Sequence, residues 1–132
     1  MLTRATRTAS ILAIVALSTD AISFDVEQAL RNTAAHLNQS TPRPIGNDAY
    51  FEGAVAYERT LKYRFSFRKL QKDQISSEFA LKQTEFLTHF VCATPEMQVF
   101  VENDVTLKYA YYDKHGKLVV LIAVEPGSCA SE

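Results

Sequence analysis

The chemistry-bearing residues that crowd together most in this chain are cations. Arg59, Lys62, Arg64, Arg68, Lys69 and Lys72 occupy one stretch with no acid among them, six of the chain's 14 lysines and arginines. Within it Leu61, Tyr63, Phe65 and Phe67 alternate with Lys62, Arg64, Ser66 and Arg68. Period-two alternation is the mark of a half-buried strand, so the aromatic face goes inward and Lys62, Arg64 and Arg68 project outward, with Lys69 just past the end. Such a face suits an acidic protein surface or an anionic headgroup. It is equally what a solvated face guarding an edge strand would look like. The second cluster is Tyr109, Tyr111 and Tyr112. Tyrosines anchor protein interfaces, and they are also ordinary residues of a half-buried sheet. Tyr112 points opposite to the other two.

No spacing supports covalent or metal chemistry. His36, His89 and His115 are the only histidines, and none stands at ligand spacing from another His, Cys or carboxylate. There is no nucleophile elbow, P-loop or dinucleotide fingerprint. No catalytic, cofactor-binding or metal residue is assigned, and the chain is read as a non-enzyme.

The elements that must position these residues follow from the apolar periodicity. The spacing predicts a helix over 25–39, with Val26, Ala29, Leu30, Ala34 and Leu37 on one stripe, and a proline-rich loop over 40–47. Strands are expected at 49–57, with Gly53 as a bulge, and at 60–68, joined at Glu58-Arg59. A long helix is expected over 73–92, capped by Asp73, with Ile75, Phe79, Phe86, Leu87, Phe90 and Val91 buried. Thr94-Pro95-Glu96 starts a short helix that buries Met97, Phe100 and Val101. Strands 105–112 and 118–124 form a hairpin turned at Gly116. The last strand is apolar on both faces, which predicts a central position. The sum is an α+β fold: a four-stranded antiparallel sheet of two hairpins, packed with an N-terminal, a long central and a short helix.

The ends of the chain speak of export. Residues 1–23 have the parts of a secretory signal peptide: Arg4 and Arg7, an apolar run of about ten residues, and small residues at Ala21 and Ser23. The run is short for spanning a bilayer, which favours a cleaved leader, with an uncleaved membrane anchor as the alternative, and no cysteine near the cut suggests a lipid anchor. Residues 24–132 form a single domain, periplasmic or secreted, with no stable membrane insertion after cleavage. Cys92 and Cys129, the only cysteines, fall in the exported part. In an oxidising compartment they are expected to pair, tying the tail to the end of the long helix; two buried free thiols are the alternative. A formal net charge of −1 gives no electrostatic basis for nucleic-acid binding.

The run Phe90-Val91-Cys92-Ala93-Thr94-Pro95-Glu96-Met97, the segment 105–113, Gly116-Lys117 and the closing segment 124–129 resemble a family of small exported bacterial proteins, largely uncharacterised. Members carry a Cys after the long helix and a Tyr-x-Tyr-rich hairpin followed by a closing Cys. The resemblance covers about the last 60 residues. It implies the fold and the Cys92–Cys129 bond and carries over no catalytic residue. Members often have a Gly where this chain has Asn103-Asp104. The expected function is a non-catalytic module that binds another protein, with an acidic partner expected from the basic strand face, as an envelope-assembly accessory. A periplasmic immunity or inhibitor protein is the alternative. A small hydrolase with a dispersed active site is the alternative from another class.

Overall fold

In the computed structural model, which describes residues 24–131, a single sheet carries the helices on one face. The leader at 1–23 lies outside the described residues. Helix α1, Val26–Asn38, begins where the Asp25 side chain accepts the Gln28 backbone N–H at 3.1 Å, the capping that a short carboxylate supplies to an orphan donor. It buries Leu30 and Ala34. Strands β1 (Arg43–Pro44), β2 (Ala49–Tyr57) and β3 (Thr60–Phe67) follow as an antiparallel run. Helix α2, Ser77–Ala93, and the short α3, Gln98–Glu102, form the crossover to β4 (Thr106–Tyr112) and β5 (Leu118–Val124).

The sheet runs β1-β2-β3-β4-β5, and β3 pairs with β4 in parallel. The sheet is therefore five-stranded and mixed, not the four-stranded antiparallel one expected. The physical reason is the crossover. A parallel pair needs a long connection, normally helical, and the segment between Phe67 and Thr106 supplies it. The fifth strand is the two-residue β1, which lies in the expected loop. Pro44 has no N–H to donate, which is tolerated at a sheet edge.

Other expectations shift for identifiable reasons. Helix α2 starts at Ser77 because Lys72–Gln74 forms a separate 3-10 turn, closed by reciprocal Gln71 and Gln74 contacts. The short helix is preceded by a 3-10 turn at Pro95–Met97. Phe86 and Phe90, expected in the core, are 61% and 39% exposed; the inward face of α2 is set by Leu87, Val91 and Phe79. Strand β5, expected in the centre, is an edge, and Leu121 on its outer face is 45% exposed. The Gly53 bulge and the turn with Gly116 at φ +78° are as expected, and the Met97-Phe100-Val101 face packs against the core but is only partly buried.

One contiguous core joins Leu30 and Ala34 of α1, Leu87 and Val91 of α2, and the inward residues Phe51, Ala54, Leu61, Leu107, Tyr109, Tyr111, Ile122 and Val124 of the sheet. Cys92 and Cys129 are bonded, with Cα atoms 5.2 Å apart. The bond ties the 3-10 turn Pro126–Ser131 to the end of α2.

Candidate functional site

The sheet has two faces of opposite character, and each holds some of the residues singled out above. On the helix-bearing face the aromatic side chains of β2, β3 and β4 form a continuous layer. Tyr63 stacks on Tyr109 at 4.9 Å between ring centres, Phe65 on Tyr111 at 4.9 Å, and Phe51 lies 5.5 Å from Phe65. The parallel register produces this: Tyr63 stands beside Tyr109 and Phe65 beside Tyr111. Stacked and tilted ring pairs at these spacings add to the burial of the rings.

Helix α1 sits over β2 and helix α2 over β5, and they leave a groove between them. Its floor is Phe51, Tyr63, Phe65 and Tyr109. Leu37 of α1, Phe90 of α2, Met97 and Ile45 line its walls, and the cavity measures about 360 Å³. Arg43 brings the one charge among these lining residues, with its guanidinium 5.2 Å from the Phe51 ring centre. Ile45 is 48% exposed at the rim. Phe86 stacks on Phe90 at 6.2 Å and extends the apolar wall outward. Burial pushes the Tyr63 phenol up to about 12 and raises the Tyr109 phenol as well. Both hydroxyls therefore stay protonated near neutral pH. With one cation, no carboxylate and no imidazole on its walls, the groove has no proton acceptor for general-base work. It is built to bury apolar groups.

Of the tyrosine cluster, Tyr109 thus lies in the groove floor. Tyr111 is buried, and its hydroxyl accepts a hydrogen bond from Gln83 Nε2 at 2.8 Å. Burial raises the Tyr111 phenol, and the Gln83 bond partly offsets that. Tyr112 is on the opposite face, half-buried. The hairpin does not bring the three together.

The opposite face carries no helix among the described residues. Lys62 and Arg64 of β3, Lys108 of β4 and Tyr112 lie on it. Arg68, just past β3, ion-pairs with Glu52 at 3.1 Å and lies 3.8 Å from the Tyr50 ring centre. Burial opposes charge on Glu52, yet the Ser66 hydroxyl and Arg68 outweigh it and hold its carboxyl below the usual range. Lys69 is exposed beyond the strand; its backbone N–H donates to Asp48 Oδ1 at 2.8 Å.

Sequence reasoning missed the groove because its walls come from segments read otherwise. Arg43 and Ile45 belong to a stretch whose composition predicts a loop, and the apolar spacing of the long helix predicts Phe90 in the core. The spacing of Phe86 and Phe90, four apart, fits a solvent-side ridge as well as a buried stripe.

A buried carboxylate fixes the base of the hairpin. Asp113 accepts backbone N–H bonds from Lys72 at 2.9 Å, His115 at 2.8 Å and Lys117 at 2.9 Å. Burial works against its charge, but these donors and the nearby His115 ring prevail and lower its pKa. A depressed carboxylate stabilises the fold above the unfolded value of about 3.9, and that stabilisation fades as pH falls through the folded value. Asp113→Ala is therefore expected to lower the melting temperature at pH 7. The gap to wild type should narrow as pH drops below about 4. Asp113→Asn keeps one acceptor and should fall between the two. Thermal melts at pH 7 and pH 3 check this.

Among the described residues no three His, Cys, Asp or Glu side chains converge to hold a metal. No protein-family model matches the chain, and no curated protein matches it. Solved structures do. A candidate secreted protein of Pseudomonas aeruginosa superposes with a TM-score of 0.70 at 20% identity, covering 79% of this chain and 92% of that one. The EpsS pilotin of the Vibrio vulnificus type 2 secretion system gives 0.64 at 14% identity, over 79% and 91%. The AspS pilotin of the Vibrio cholerae type II secretion system gives 0.60 at 17% identity, over 79% and 92%. These likenesses establish that the chain shares the fold of two secretion-system pilotins and of a candidate secreted protein.

Proposed function

We propose that this chain is an exported, non-catalytic accessory of an envelope secretion assembly, and that its groove takes an apolar segment of an assembly subunit. The observation that carries this is the groove itself: a floor of four aromatic rings between two helices, with a single cation at its mouth. The likeness in fold to two type II secretion pilotins supports the class of assembly. An amphipathic helix or a short extended segment would lay its apolar side chains on these rings. Arg43 at the mouth favours an acidic or carboxyl-terminal end there. Export rests on the leader at 1–23, and the paired cysteines agree with it.

A photo-crosslinking residue placed at Ile45 in cells is expected to trap a subunit of the secretion assembly. The same residue at Glu27, exposed on α1, should not. Phe90→Asp should abolish the Ile45 crosslink while leaving the melting temperature within a few degrees. If Glu27 crosslinks to the same subunit and Ile45 does not, the groove is not the docking site.

A further inference from the structure

We propose that the helix-free face of the sheet, centred on Lys62, Arg64 and Lys108, is a second docking surface, for an acidic segment of a partner protein. It stands on the other side of the sheet from the groove and rests on separate observations.

The first observation is position. A row of lysines and arginines is the usual guard of an edge strand. Here β3 and β4 are interior strands, flanked by β2 and β5. Edge protection gives no reason for cations at this place.

The second is a like-charge pair. Lys62 and Lys108 are register partners on adjacent strands. Like charges directly opposite on one sheet face repel and destabilise. Their row is completed by Val55 and Ala123, and the next holds Gly53, Arg64, Ala110 and Leu121. Neither row contains an acid. The nearby carboxylate, Glu52, is occupied by Arg68 and Ser66. Among the described residues, Lys62, Arg64 and Lys108 make no ion pair. Arg64 shares the charge of Glu52 with Arg68, but the Lys62–Lys108 pair has no acid in its own row or the next, and an anionic occupant would supply the counter-charge.

The third is chemistry that favours protein as that occupant. Lys108 Nζ lies 5.7 Å from the Tyr57 ring centre and Arg64 Cζ 5.8 Å from that of Tyr112. Arg64 and Lys108 thus lie over aromatic rings, and exposed Val55, Tyr57 and Leu121 share the face. Arg and Tyr around apolar contacts are the composition of protein interfaces. A bilayer calls for cations that project, whereas Arg64 and Lys108 lie against rings of the sheet. The four strands span about 14 Å, and each is about 20 Å long. That area is well under the roughly 800 Å² per partner of a domain–domain interface. It fits one extended segment whose alternate side chains are acidic.

The test uses the purified oxidised protein, a fluorescent decaglutamate peptide and phosphatidylglycerol vesicles. Wild type is expected to bind the peptide, with affinity falling as salt rises. Lys62→Gln with Lys108→Gln should weaken binding by about tenfold, the loss of two close charge contacts. It should leave the melting temperature unchanged or raised, because the like-charge pair is gone. Lys114→Gln with Lys117→Gln, on the exposed hairpin turn, should bind as wild type. Ile45→Asp in the groove should also leave peptide binding intact, so failure of one surface is distinguishable from failure of the other. Equal binding by the Lys62/Lys108 variant, or binding to vesicles and not to peptide, overturns the proposal.

Discussion

Cys129→Ser is expected to lower the unfolding free energy by about 4 kcal/mol, the largest single effect foreseen for this chain. The bond closes a loop between residues 37 positions apart, and removing that constraint from the unfolded chain accounts for the magnitude in the chain-entropy description. The effect reaches the groove. Cys92 lies at the end of α2, two residues after Phe90, and the tail it holds contacts both α2 and α3. Without the bond the C-terminal end of the wall that carries Phe86 and Phe90 is held by its Leu87 and Val91 packing, with Phe79 and the Gln83–Tyr111 bond holding the other end. Urea unfolding of wild type, reduced wild type and Cys129→Ser gives the number. The Ile45 crosslink should weaken in the reduced protein. Equal midpoints for oxidised and reduced protein would refute the stabilising role.

Gly53→Ala is expected to destabilise by about 2–4 kcal/mol, for two reasons that compound. Gly53 sits at the β2 bulge with φ +145°, a region that side-chain-bearing residues rarely adopt. A Cβ there would also meet Asn38 Oδ1 at 2.9 Å. Asn38 is not free to retreat. Its Oδ1 accepts the Ala54 N–H at 2.6 Å, and its Nδ2 donates to the Ala54 carbonyl at 2.8 Å. This two-way amide clasp satisfies both backbone groups of Ala54, next to the bulge. It also fixes the end of α1, and with it Leu37 in the groove wall. Asn38→Ala alone should cost about 1–3 kcal/mol by leaving the Ala54 groups unpaired. In the double variant the collision is absent, so the two losses should sum to less than their separate values. Strict additivity in thermal or urea unfolding would show that the close approach plays no part.

How far the sequence disclosed this arrangement depends on the range of the interaction. Alternation over 60–68 was enough to separate the two faces of β3, because each side chain's direction follows from the residue before it. The hairpin at 105–124 was legible for the same reason, with Gly116 marking its turn. Pairing across the crossover was not. The pattern of β3 is the same whether β4 runs with it or against it, and the distinguishing sign was the helical length between them. Strand β5 misled because an apolar outer face fits a buried strand, while here Leu118 and Leu121 face outward at an edge. The groove was illegible because it belongs to no single element. Arg43, Ile45, Phe51, Tyr63, Phe90 and Tyr109 come together only when both helices are laid on the sheet.

The parallel junction of β3 and β4 bears on how the chain reaches this structure. The hairpins β2–β3 and β4–β5 are closed by tight turns and rest on local pairing, which forms within microseconds in isolation. Their union waits for everything between Phe67 and Thr106 to be gathered, since distant contacts repay loop closure only late. The aromatic stack of Tyr63 on Tyr109 and Phe65 on Tyr111 spans that junction. Until it closes, both hairpins present unpaired inner edges and bare rings to the solvent. A folding chain would therefore be most vulnerable to self-association in the interval before β3 meets β4, and substitutions that loosen the stack would lengthen it.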